Sequence, residues 1–137
     1  MGDIHVRHEG GDRFTIMVRG HELLVDQPVT DGGEDTAPTP TELFVASLAG
    51  CVGFYAGRFL RRHQLPERGL AVDCRWGFAE GRPSRVGRID VRVHLPEGFP
   101  EGKRRALQAV VEHCTVHNSL RDAPEVEISL EATERVG

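Results

Sequence analysis

From Leu43 to Gly57 the chain reads LFVASLAGCVGFYAG, without one charged side chain, although 28% of all residues are charged. The flanks mark this run as the middle of a helix. Thr39 suits the N-cap, Pro40 the first helical position, and Glu42 stands where a capping box needs it. At the other end Arg58, Arg61, Arg62 and His63 place positive charge on the negative end of the helix dipole. A helix apolar on every side is expected to be buried. Phe44, Leu48, Cys51, Tyr55 and Phe59 form a bulky face; Ala46, Gly50, Gly53 and Gly57 form a small one. Each interior glycine costs about 0.8–1 kcal/mol relative to alanine. The small face is therefore expected to meet something close, such as another helix. Cys51, in the middle, reads either as a small core residue or as a reactive thiol.

A chain of 137 residues is expected to form a single domain, 1–137, large enough for a real core. The formal net charge is −4 and the basic residues are scattered, which argues against a nucleic-acid partner. MGDIHVRHEGG lacks the apolar segment of a secretory signal. The uncharged run is short for a bilayer span and is broken by glycines, so no membrane partner is expected. Three cysteines, an odd number without a secretory signal, point to a reducing, cytoplasmic setting. A disulfide there would be transient.

Residues 3–26 read as three short strands, with a turn at Glu9-Gly10-Gly11-Asp12 and another at Arg19-Gly20-His21. Residues 27–38, QPVTDGGEDTAP, are a loop by composition, well placed to border a site. After the central helix, Leu70, Val72, Cys74, Trp76 and Phe78 alternate as in a half-buried strand, with Cys74 structural. Ile89, Val91, Val93 and Leu95 mark the next strand. Leu107, Val110, Val111 and Cys114 then form the buried stripe of a second helix, and Val126, Ile128, Leu130 and Ala132 a last strand. The order βββ-α-ββ-α-β predicts an α+β fold with the helices on one face of a mostly antiparallel sheet.

Two cysteines thus fall on apolar helix faces, Cys51 and Cys114. If they meet, they form a thiol couple: one attacks a peroxide, the other closes a disulfide, and a reductant reopens it. At an ordinary pKa only about 3% of a thiol is thiolate at pH 7, so a cation is needed nearby. Arg13 and Arg19 are the candidates, and a carboxylate would hold the guanidinium in place. Glu42 is such a carboxylate, though the capping box already explains it. His113, Cys114 and His117 have ligand-like spacing, but no glutamate follows His113 and no second ligand pair is present. Neither a metal nor a cofactor is expected.

Two segments resemble the OsmC/Ohr family, the osmotically induced and organic-hydroperoxide-resistance proteins. PTELFVASLAGC, Pro40 to Cys51, resembles the family's central helix with its cysteine. HCTVHNSL, His113 to Leu120, resembles the helix end that carries the second cysteine. The resemblance implies an OsmC-like fold in an intertwined homodimer, with the central helices buried at its middle and the sites at the interface. It implies Cys51 as attacking thiol, Cys114 as resolving thiol and Arg13 as activating arginine. The family's peroxidases carry a glutamate ten positions before the first cysteine; here Thr41 holds that place and Glu42 follows. The implied function is reduction of organic hydroperoxides in oxidative-stress defence, with a dithiol reductant, often protein-bound lipoyl. The displaced glutamate keeps a rival expectation open: an OsmC-like protein that binds a small apolar ligand without peroxidase turnover.

Overall fold

The computed structural model describes residues 2–133. The uncharged run is the middle of α1, Pro40–Arg62, a helix of 23 residues. Its start is a complete capping box: the Glu42 amide donates to Thr39 Oγ1 at 3.0 Å, and the Thr39 amide donates to Glu42 Oε1 at 2.9 Å. By length and composition α1 could cross a membrane. Instead Val45, Leu48, Val52, Ala56, Phe59 and Leu60 are buried, at the three- and four-residue spacing of a single stripe. Phe44, Gly50, Phe54 and Arg58 are exposed on the other side. Within one chain the helix is therefore buried on one face, not all round.

The buried face rests on a two-stranded antiparallel sheet, β4 (Ala71–Phe78) with β5 (Val86–His94). Val72 pairs with Val93, Cys74 with Val91 and Trp76 with Ile89, so one face of this ribbon is apolar. This is also the element that approaches the small face of α1. A Cβ at Gly53 would stand 3.4 Å from Val72 Cγ2, and one at Gly57 3.7 Å from Leu70 Cδ2. The side chains of Val72 on β4 and of Leu70 just before it, not another helix, take the space those glycines leave; Gly50 faces open space.

Two short helices complete this body, α2 (Arg104–Val111) and α3 (Thr115–Arg121). The sequence predicts one helix here. The chain instead breaks over Glu112–Cys114, and Cys114 becomes the N-cap of α3 with extended backbone (φ −65°, ψ 154°). Leu107, Val111 and Cys114 are buried as predicted, whereas Val110 is exposed. With Leu48, Val52, Ala56, Phe59 and Leu60 they form the core.

The first three strands form a separate antiparallel meander: β1 (Ile4–Gly10), β2 (Arg13–Val18) and β3 (His21–Val25). Arg19 (φ 46°) and Gly20 (φ 80°) make the tight turn between β2 and β3. The register sets Val6 opposite Ile16, and Ile16 opposite Leu23. Ile4, Val6, Phe14, Ile16, Val18, Leu23 and Val25 therefore share one face. This sheet makes no substantial contact with the α1 body, and Ile4, Val6 and Leu23 are exposed.

The predicted last strand is absent. Residues 123–133 have no regular structure, and Val126, Ile128 and Leu130 are 76%, 83% and 96% exposed. The alternation is that of a strand, but a strand needs a neighbour for its backbone N–H and C=O groups. The single chain sets none beside it. The fold is α+β, with five strands and three α-helices among the described residues.

Candidate functional site

Cys51 lies half-buried in the middle of α1 and packs against the core cluster that contains Cys114. Cys114 is fully buried. Burial pushes its thiol up, and the neighbouring Cys51 thiol adds to this, while the backbone N–H groups of His117 and Val116 pull the other way. The two thiols are thus neighbours, brought together from positions remote in sequence because α1 packs on α3. At neutral pH Cys114 is held as the thiol. Beside the pair, Tyr55 Oη and Thr115 Oγ1 share a hydrogen bond of 2.8 Å that links α1 to α3.

Cys74 lies elsewhere, on β4 opposite Val91. Burial pushes its thiol up and Asp90 adds to the effect.

Arg13 and Glu42 are not brought together. The Glu42 carboxylate serves the Thr39 amide in the capping box. Arg13, half-buried at the start of β2, faces Glu34 of the loop after β3, Nη1 to Oε2 at 3.7 Å. Arg19 sits exposed in the β2–β3 turn. Neither arginine lies on the element that carries Cys51, and the sheet that holds them does not pack on it.

Glu34 was not legible as a partner, since a glutamate in a loop has no spacing to read. Asp26 was missed as well. It is buried at the end of β3, where its carboxylate accepts from Thr36 Oγ1 at 2.7 Å, the Thr36 amide at 3.0 Å and the Gln27 amide at 2.7 Å. Its own amide donates to Pro38 O at 3.0 Å. Chiefly the Thr36 hydroxyl, then the backbone amides, hold the carboxyl at about 2. Asp26 thereby ties the two ends of the 27–38 loop together, just before α1. An aspartate directly before a Gly/Pro-rich loop was the available signal.

An apolar cavity of about 320 Å³ opens between α1, β5 and α2, floored by Leu48, Val52, Val91, Val93 and Leu107. Arg104, Gln108, Glu112 and His117 stand around it, and Cys51 does not line it. Among the described residues no three His, Cys, Asp or Glu side chains converge as metal ligands; His113 Nδ1 lies 2.8 Å from Ala109 O.

A family model described as OsmC-like protein matches residues 32–129, well over half of the chain. This chain belongs to the OsmC-like protein family. The match spans α1 through α3 and both Cys51 and Cys114, whereas β1–β3 and Arg13 precede it. Solved structures agree on the fold. An osmotic stress induced and detoxification response protein from Psychrobacter arcticus superposes with a TM-score of 0.79 at 22% identity, over 87% of this chain and 88% of its own. An OsmC like protein from Mycoplasma pneumoniae gives 0.75 at 14% identity, over 90% and 89%. The organic hydroperoxide resistance protein OhrB of Bacillus subtilis gives 0.63 at 17% identity, over 90% and 92%. No curated protein matches the chain.

Proposed function

We propose that this OsmC-like protein detoxifies organic hydroperoxides as a homodimeric, cysteine-based peroxidase in the cytoplasm. The observation that supports this reading is the packing of Cys51, on α1, against the core cluster that holds the buried Cys114 at the start of α3. The Cys51 thiolate attacks the terminal oxygen of the hydroperoxide. The O–O bond breaks, an alcohol leaves after taking up a proton, and Cys51 becomes a sulfenic acid. Cys114 then attacks the Cys51 sulfur; the S–O bond breaks, water leaves, and a disulfide remains. A dithiol, of the lipoyl type, returns both cysteines to thiols and is itself oxidised to a disulfide.

Activation of Cys51 falls to Arg13 of a second copy. Within one chain the arginine and the cysteine belong to parts that do not touch. Both parts carry apolar surface that nothing covers: Val6 and Leu23 on the sheet, Phe44 and Phe54 on α1. Surfaces of this kind mark assembly, and closing one on the other would bring β2 to α1. Glu34, rather than Glu42, then orients the guanidinium.

Reduced protein titrated with cumene hydroperoxide tests the reading. Two thiols per chain should disappear together, with Cys51 joined to Cys114. Cys51→Ser should lose consumption altogether, and Cys114→Ser should stop at a sulfenic acid. Full consumption by Cys51→Ser rules the mechanism out.

The apolar cavity favours a second reading, a binding protein for a small apolar ligand. That reading takes first place if the thiols survive hydroperoxide and an apolar ligand binds oxidised and reduced protein equally.

A further inference from the structure

The resolving cysteine stands on a weakly held element. Its helix, α3, has seven residues and no buried side chain of its own. A helix that short does not persist by itself in water. Cys114, at its N-cap, makes no capping bond through its side chain. What fastens the start of α3 to α1 is the burial of Cys114, the packing of Val116 on the core, and the Tyr55–Thr115 hydrogen bond.

That bond is placed with respect to both sulfurs. Thr115 follows Cys114 directly in the chain. Tyr55 follows Cys51 by four residues, one helical turn along the same face of α1. Each hydroxyl thus belongs to a neighbour of one of the two cysteines. Disulfide closure needs the two Cα atoms within a narrow range and the Cβ vectors facing. A tie between the residues flanking the pair restricts the approach to that range, as an intramolecular reaction requires.

We propose that Tyr55 and Thr115 are positioning residues of the resolving step: their hydrogen bond holds Cys114 on Cys51 and speeds disulfide closure without taking part in the attack on peroxide. This rests on the thiol-couple reading above. The atoms balance as before. Cys51 sulfenic acid and the Cys114 thiol give one disulfide and one water, and neither hydroxyl gains or loses a proton in the net step.

The consequence is a competition. While Cys51 is a sulfenic acid, a second hydroperoxide can carry it on to sulfinic acid. Slower closure lengthens that exposure. Removing the hydrogen bond should therefore increase over-oxidation, and a variant that keeps the hydroxyl should not.

The variants are Tyr55→Phe and Thr115→Val, with Thr115→Ser as the conservative control. Phenylalanine keeps the ring that packs edge-on against Phe54 at 5.6 Å between centroids. Two oxidants are used, with closure followed by thiol count and intact mass. Cumene hydroperoxide reads the whole sequence. Diamide reads closure alone: Cys51 adds to its N=N bond, Cys114 attacks that sulfur, and the reduced hydrazine leaves.

Tyr55→Phe and Thr115→Val are expected to close about three- to tenfold more slowly with either oxidant, the effect of one neutral hydrogen bond. First-hit consumption of hydroperoxide should be unchanged. The Cys51 product carrying two added oxygens should accumulate, and Thr115→Ser should restore the original rate. Closure at the original rate in both variants, with both oxidants, overturns the proposal, as does a Thr115→Ser protein as slow as Thr115→Val. If the unmodified protein ignores hydroperoxide, the peroxidase reading fails instead. Slowed diamide closure in the variants still upholds the clamp in that case, and unslowed closure overturns it.

Discussion

The body built from α1, β4, β5, α2 and α3 buries an apolar core and leaves Phe44, Phe54 and Phe78 exposed; the β1–β3 meander buries only Val25 of its apolar face. Ala56 and Leu60 are fully buried, while Ile4 is 65% exposed. The sequence patterns are equally regular in both. The difference lies in what each element can reach within one chain. α1 has a ribbon and two helices to pack on. The meander has an apolar face, set by the pairing of Val6, Ile16 and Leu23, on which only Val25 is buried. Apolar periodicity encodes which face is to be covered, not what covers it. The same division runs through the candidate chemistry. The thiol couple lies wholly in the closed body, and the arginine belongs to the open sheet.

The largest effect that sharpens this contrast is expected in the core. Leu60→Ala removes a fully buried side chain from the α1 stripe and should cost about 2–5 kcal/mol in a urea titration. A cost below about 1 kcal/mol would mean that the body is less tightly closed than its burial implies. Leu23→Glu probes the open sheet. Within one protomer the change lies at the surface and should be nearly neutral, within about 0.5 kcal/mol. In a homodimer that covers the sheet, it buries a charge and should shift the protein to monomers by sedimentation. A variant that stays dimeric would show that the assembly leaves this face open.

Legibility in the sequence follows the same line. α1 was readable to its ends, because Thr39, Pro40 and Glu42 act on their own backbone and need no tertiary context. Strands β4 and β5 were readable because alternation is local. The break before α3 was not: Val110 and Cys114 continue the helical spacing, yet no glycine or proline marks the stop at Glu112. The stretch from Val126 to Leu130 has the pattern of a strand and no neighbour to pair with, so pattern alone overreached. At the site, Cys51 and Cys114 were legible as apolar-face thiols. Their contact depends on how α1 meets α3. The pairing of Arg13 with Glu34, and the burial of Asp26, depend on the path of a loop that composition does not specify.

A smaller effect tests the local signals directly. Thr39→Ala deletes the side-chain half of the capping box and should cost about 1 kcal/mol. Thr39→Ser keeps the hydroxyl and should cost a fraction of that. Urea midpoints for the two variants decide the matter. Equal losses would show that the methyl group, not the cap, is what matters at this position.

The smallest effect concerns the seam between the two regions, and it depends on pH. Asp26 joins the end of β3 to the loop that leads into α1. Its carboxyl sits at about 2, against an ordinary value of 3.8, because it accepts from Thr36 and Gln27. A carboxyl held low in the folded state contributes stability that is complete above its ordinary value and is lost as pH falls toward the folded value. The contribution should thus be intact at pH 5 and above, and decline between about pH 4 and pH 2. Because the bonds fasten one loop, the expected readout is local. The Thr36 amide should lose its protection from hydrogen exchange, corrected for intrinsic rate, over that acid window, while the Leu60 amide in the α1 core keeps its own. Asp26→Asn should show the low protection already at neutral pH and no further acid step from this site. If Thr36 and Leu60 lost protection together, the seam and the core would be one cooperative unit, and the contrast between the regions would be one of packing alone.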